Sequence, residues 1–215
     1  MNLQRLVSPL QFNSATQLEV SQASALANVL SRACHNDPYL TYLIPDVEAR
    51  RIVSPWLFFS MIRAGRLYGE INTTDSGNGA AVWISPLYGV SVRRVIRAAL
   101  MSMPVGAGCG IARRCLRVAA IMEEVRKRLA PVPHWYLMAL GFGTSQPEKA
   151  GREALIQPVL LRADSAGIPC YLETFSEEKL MFFKSYGFRI TGAGRIPGGG
   201  PNFWAMTREA NDTAG

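Results

Sequence analysis

The chain is poor in metal-ligating side chains and has no long apolar run. Its two histidines, His35 and His134, stand far apart, and its four cysteines, Cys34, Cys109, Cys115 and Cys170, form no Cys-x-x-Cys pair and sit in apolar stretches. Such a set lacks zinc-site spacing and predicts free buried thiols, so no metal is expected. No stretch reaches the roughly 18 apolar residues that cross a bilayer, and the opening MNLQRLVSPLQF lacks the charged-then-apolar layout of a secretory signal. Neither a membrane nor export is expected, and the chain reads as cytoplasmic. Internal repeats, low-complexity tracts and interdomain linkers are also missing, so the 215 residues read as one domain over 1–215.

Acidic residues are scarce in one place. Between Ser91 and Arg128, nine basic residues (Arg93, Arg94, Arg97, Arg113, Arg114, Arg117, Arg126, Lys127 and Arg128) face only Glu123 and Glu124, so this segment alone matches the net charge of +7. It reads as the solvated face of two helices or as an attractor of an anionic ligand. The same stretch has no aromatic residue on which a base could stack, so nucleic acid is not expected.

Periodicity orders the rest. Gln17 to Gln22 reads as a short strand and Ala23 to Cys34 as an amphipathic helix carrying Leu26, Leu30 and Ala33. In HNDPYLTYLIPD, Pro38 and Pro45 predict extended or turn geometry, and Asp46 then caps a helix reaching about Ala64. RLYGEI and GAAVWIS predict a hairpin, followed by helices over Val90–Ser102 and Ile111–Leu129. HWYLMALGF is almost continuously apolar, as in a strand covered on both faces, and leads through a polar turn into the helical REALIQPVLLRADSAG. Ile168 to Phe175 is the next strand, SEEKLMFFKSYGF a helix ended by Gly187, and Phe188–Thr191 and Asn202–Thr207 the last strands.

Seven phrases, HNDPYLTYLIPD, AVWISP, HWYLMALGF, ALIQPVLLRAD, GIPCYLET, FFKSYGF and FWAMTRE, occur in an order that resembles the GCN5-related N-acetyltransferase family, in the branch containing puromycin acetyltransferase. The resemblance implies an α/β fold with a mixed, strongly bent sheet, helices on both faces and a V-shaped splay between two parallel central strands. It implies acetyl-coenzyme A as donor and the primary amine of a small molecule as acceptor. The cofactor arm would pair with the backbone of Leu140, Gly141 and Phe142, and its pyrophosphate would sit on the turn holding Gln146, Lys149, Ala150, Gly151 and Arg152. Two departures from the family stand out. In one register of the phosphate loop Lys149 takes the place of a glycine, and in the other Pro147, Ala150 and Arg152 fall on the three motif positions; Phe183 stands where the family places a proton-donating tyrosine, with Lys179 near it in a cofactor-facing position often held by asparagine.

Amine acetylation needs a base, and a proton must reach the leaving thiolate. Glu173, at the end of a central strand, is the first candidate base; a strand-end glutamate paired with arginine is the bland alternative. His134 is a second, with a surface or structural role as its alternative. Tyr186, three residues after Phe183, is the substitute acid or a structural tyrosine beside Gly187. Tyr39, Tyr42, Trp56 and Trp83 either wall an apolar acceptor pocket or belong to the core. A non-catalytic descendant that binds an acyl-coenzyme A or a partner is the competing function, and the strand-helix ending could support a homodimer.

Overall fold

The computed structural model describes residues 20–89, 91–101, 109–143 and 149–211. In chain order the elements are α1 (Val20–Ala33), α2 (Pro38–Leu43), α3 (Val47–Tyr68), β1 (Gly69–Thr73), β2 (Gly79–Ile84), α4 (Val92–Met101), α5 (Cys109–Leu129), β3 (Trp135–Phe142), α6 (Lys149–Ala166), β4 (Cys170–Thr174), α7 (Glu178–Ser185), β5 (Arg189–Arg195) and β6 (Asn202–Arg208).

Two local expectations fail for identifiable reasons. Of the strand expected over Gln17–Gln22, residues 17–19 lie outside the described residues, and Val20, Ser21 and Gln22 form the first turn of α1. The helical stripe of Ala23, Leu26, Ala27 and Leu30, all buried, sets the period there. Pro38 starts a helix rather than preventing one. It occupies the first turn of α2, where no amide hydrogen is needed, and the Asp37 carboxylate caps the Tyr39 amide at 3.0 Å. The far end of this short helix is held from a distance: Arg50 donates to the Ile44 carbonyl at 2.6 Å and Arg114 to that of Leu43 at 2.9 Å. Asp46 caps α3 as expected, accepting from the Ala49 amide at 2.7 Å.

The six strands form one mixed sheet in the order β1-β2-β3-β4-β6-β5, antiparallel throughout except for β3 beside β4. One face carries a core contributed by α1 to α5, with Leu30, Leu43, Ile62, Ile96 and Val118 essentially dry. The other carries the stripe of α6 (Leu155, Ile156, Val159, Leu160, Ala163) together with Phe183 and Phe188. Pro158 removes one helical hydrogen bond from α6, and the nearby Leu155 carbonyl accepts from Trp83 Nε1 at 3.1 Å and Asn72 Nδ2 at 3.2 Å. That accounts for Trp83, which is fully buried on the α6 side and is core rather than pocket wall.

The basic segment is largely the solvated face expected of it, with seven of the nine basic residues exposed and one turned inward. Arg126 is buried, Arg114 and Arg117 donate to the Leu43 and Pro197 carbonyls, and Lys127 pairs with Glu124 at 2.9 Å. Among the cysteines, Cys115 and Cys170 are buried and Cys34 half-buried, but Cys109 is exposed at the start of α5. No helix among the described residues is long and apolar enough to cross a membrane.

The α6 layer is tied to the sheet by Arg208 of β6. Its guanidinium takes both carboxylate oxygens of Asp164 at 2.7 and 2.8 Å and also donates to the Tyr186 carbonyl at the end of α7. Hydrogen bonds from Arg208 hold the Asp164 carboxyl below its ordinary range. We therefore expect Asp164→Ala, which strands a buried guanidinium, to lower unfolding free energy by roughly 3–5 kcal/mol in urea denaturation. Because the folded value of Asp164 lies below the unfolded one, its stabilisation is complete above about pH 4 and is lost as pH falls through the folded value. The variant should lack that acid-limb component.

Candidate active site

The site begins where β3 and β4 part. Their parallel pairing covers only Trp135–Leu137 against Cys170–Leu172, after which β3 continues along β2 and β4 along β6. At this point β3 carries a bulge: Val82 pairs with Ala139 and Trp83 with Leu137, so Met138 is extra. The side-chain alternation slips accordingly, with Tyr136 and Ala139 facing the α1–α5 core and Leu137 and Leu140 facing α6. Beyond Leu137, β3 therefore runs to Phe142 with no strand on its β4 side among the described residues.

A cavity of about 140 Å³ opens in this V. Its walls on the α1–α5 side are apolar, formed by Leu43, Leu57, Met61, Ile96 and Met122 among others, and it reaches through the V to Leu137, Leu172 and Phe183. Glu173 of β4 lies on its floor beside Tyr136. The hydroxyls of Tyr136 and Tyr171 converge on this carboxylate, yet Glu173 Oε1 and Tyr171 Oη are buried without a hydrogen-bond partner of normal geometry. Arg126 of α5, also buried, lies over the Tyr136 ring at 4.6 Å, and one of its Nη atoms has no partner. Burial raises the Glu173 pKa, opposed by the positive charge of Arg126 and by the two tyrosine hydroxyls. Tyr136 is pushed well up by the same burial and by Glu173.

The upper part of the cavity is polar. Lys179 of α7 donates to Asp37 Oδ2 at 2.9 Å, and the Cys34 thiol lies 3.8 Å from the Leu140 carbonyl. Burial moves that thiol up to about 11, so it is no thiolate nucleophile at neutral pH. Close packing of α1 on β3 depends on Gly141, where an added Cβ would lie 2.9 Å from both Ala33 Cβ and Leu30 Cδ2.

Of the residues expected at the site, Glu173, Leu140, Lys179 and Phe183 line the cavity, and Gly141 and Phe142 continue the same strand. Phe183 is buried there and brings no hydroxyl. Tyr186 does not line it; its ring packs on Phe182, with centroids 5.2 Å apart. His134 lies at the opposite, paired end of β3, where its Nδ1 contacts the Pro131 carbonyl and burial lowers its pKa. The structure thus brings Glu173 to the cavity but not His134 or Tyr186. Ala150, Gly151 and Arg152 occupy the first turn of α6, which holds no acidic residue; Gln146 lies outside the described residues, as does the side chain of Lys149. Tyr39 lines the cavity, Trp56 is 39% exposed, and Tyr42 reaches toward the Pro197 carbonyl. Sequence reasoning missed Arg126, which was counted with its basic neighbours, and the tyrosines Tyr136 and Tyr171. The signal was available: Tyr136 and Tyr171 are opposed in register on the two central strands, and Glu173 follows two residues on, on the same face.

Glu173 should accordingly titrate above the ordinary glutamate value of about 4.3, followed by ¹³C-carboxyl NMR with Glu173→Gln for assignment. Arg126→Met should raise it further, since an opposing positive charge is lost. A midpoint at or below the ordinary value contradicts this description of the floor.

No protein-family model matches the sequence. Among solved structures, the chain is similar to a Corynebacterium glutamicum protein described as histone acetyltransferase HPA2 and related acetyltransferase, with a TM-score of 0.60 at 23% identity over 92% of this chain and 94% of that one. It is also similar to arylalkylamine N-acetyltransferase 2 from Aedes aegypti, with a TM-score of 0.54 at 10% identity over 89% of this chain and 95% of that one. The chain therefore has the fold of the GCN5-related N-acetyltransferases.

Proposed function

We propose that the protein transfers an acetyl group from acetyl-coenzyme A to the primary amine of a small molecule, with Glu173 as the base. The observation that carries this reading is the Glu173 carboxylate, buried with an unpartnered oxygen on the floor of an apolar cavity that opens where the two central strands part. Such a carboxylate binds an ammonium and can take its proton, and its raised pKa brings it nearer to the working pH of a base.

Coenzyme A fits the remaining features. Among the described residues the edge of β3 from Met138 to Phe142 has no strand partner on the β4 side, so an extended amide-bearing arm can be added there. The start of α6, from Lys149 through Ala150 and Gly151 to Arg152, offers helix N-terminal amides and the Arg152 charge to a pyrophosphate. When bound, the donor supplies a thioester carbonyl carbon open to attack and a thiolate leaving group. Glu173 would hold and deprotonate the amine beneath it, while the apolar walls exclude water. Phe183 cannot protonate the thiolate and Tyr186 lies off the cavity, so the thiolate would leave as the anion and take its proton from solvent outside the cavity.

The same Phe183 favours a second reading, an acyl-coenzyme A-binding protein without transfer. Thiol release with a panel of primary amines separates the two. A catalyst should show turnover that falls about 10²- to 10⁴-fold in Glu173→Gln and rises in Phe183→Tyr. Turnover should increase with pH through the raised Glu173 value, because only the carboxylate accepts a proton. Binding of coenzyme A with no amine-dependent thiol release would leave the second reading standing.

A further inference from the structure

Resting on the acetyl-transfer reading, we infer that the acceptor is a monoamine, a single ammonium on a compact apolar body, and that the cavity rejects amines bearing a second positive charge. The inference comes from counting where charges can go. Three charged side chains line the cavity: Asp37, Glu173 and Lys179. Asp37 is already occupied, accepting from Lys179 Nζ at 2.9 Å and from the Tyr39 amide at 3.0 Å. With the Asp37 charge matched by Lys179, Glu173 is the lining carboxylate that has an unpartnered oxygen, and it can neutralise one ammonium.

The surroundings then act against a second cation. From α3 come Leu57, Phe58 and Met61, from α4 Ile96, and from α5 Met122, none with a polar group for an ammonium beyond the faint acceptor capacity of methionine sulfur. At the upper end Lys179 and Asp37 pair and cancel, and at the floor Arg126, behind Tyr136, sets a buried positive charge against that of Glu173. The groups facing Glu173 are Tyr136 from β3, Tyr171 from β4, Tyr39 from α2 and Arg126 from α5, so no second acid lies among them. A diammonium acceptor would have to leave one charge in this apolar space or remain outside. Uncompensated burial of charge is expensive enough to separate matched amines by about 100-fold or more.

The test compares n-butylamine with putrescine and n-hexylamine with hexamethylenediamine, pairs that differ by the second ammonium. In steady-state thiol release with acetyl-coenzyme A, each monoamine should exceed its diamine by about 100-fold or more in kcat/KM. Values within a few-fold, or a preference for the diamines, overturn the inference. Should no amine be turned over, the acetyl-transfer reading fails by itself, and the inference is decided by binding. Methyl NMR of labelled methionines reads the cavity directly, because Met61, Met122 and Met138 line it. Monoamines shifting these signals, diamines leaving them unmoved at equal concentration, and loss of the monoamine shifts in Glu173→Gln support it. Equal shifts by both classes, or none by either at millimolar amine, overturn it.

Discussion

The candidate site rests on the brevity of one strand pairing. β3 and β4 share three residue pairs and then diverge, and the bulge at Met138 lies at the point of divergence. A bulge adds a residue to one strand, bends it and reverses which side chains face each core. Here that frees one edge of β3 and opens a cavity in what would otherwise be continuous sheet. Both strands remain rigidly held, β3 by β2 and β4 by β6, so the opening is built into the framework and needs no loop to form it.

Within that opening, electrostatics and packing serve different ends. A carboxylate in an apolar chamber is costly, and the described structure offsets the cost only in part, through Arg126 and two tyrosines that lead back from the floor into the core. Glu173 lines the cavity and keeps one oxygen without a partner. A structural ion pair looks different: Asp164 and Arg208 meet through two short hydrogen bonds, and Asp164 also accepts from the Asn211 amide, leaving nothing for a ligand. The contrast distinguishes a carboxylate that holds the fold together from one that is available for chemistry.

Much of this was legible in the sequence, and the exceptions have physical causes. A continuous apolar run exposed β3 as a strand covered on both faces, helical spacing placed α1, α3 and α6, and the family resemblance made β3 and β4 the central pair. The position of Glu173 at the end of a central strand followed from that resemblance. The small helix α2 was hidden because Pro38 is a breaker inside a helix and a starter at its first turn, and because its other end is capped by Arg50 and Arg114, the latter 71 residues beyond Leu43. Arg126 was hidden among neighbours of like charge: composition gives the sum over a helix, and only tertiary packing shows which one of the arginines turns inward beneath Tyr136. Tyr186 sat one turn from a cavity-lining position, but α7 presents Phe183 to the cavity and directs Tyr186 against Phe182 instead.

The unpaired edge of β3 is the central claim, and backbone hydrogen exchange with and without coenzyme A tests it most directly. An arm added to that edge should slow exchange of amides within Met138–Phe142 and at the start of α6, while β5 and β6 on the far side of the sheet remain unchanged. Protection confined to the exposed face of α4 and α5, or saturating coenzyme A with no change along β3, would contradict the account.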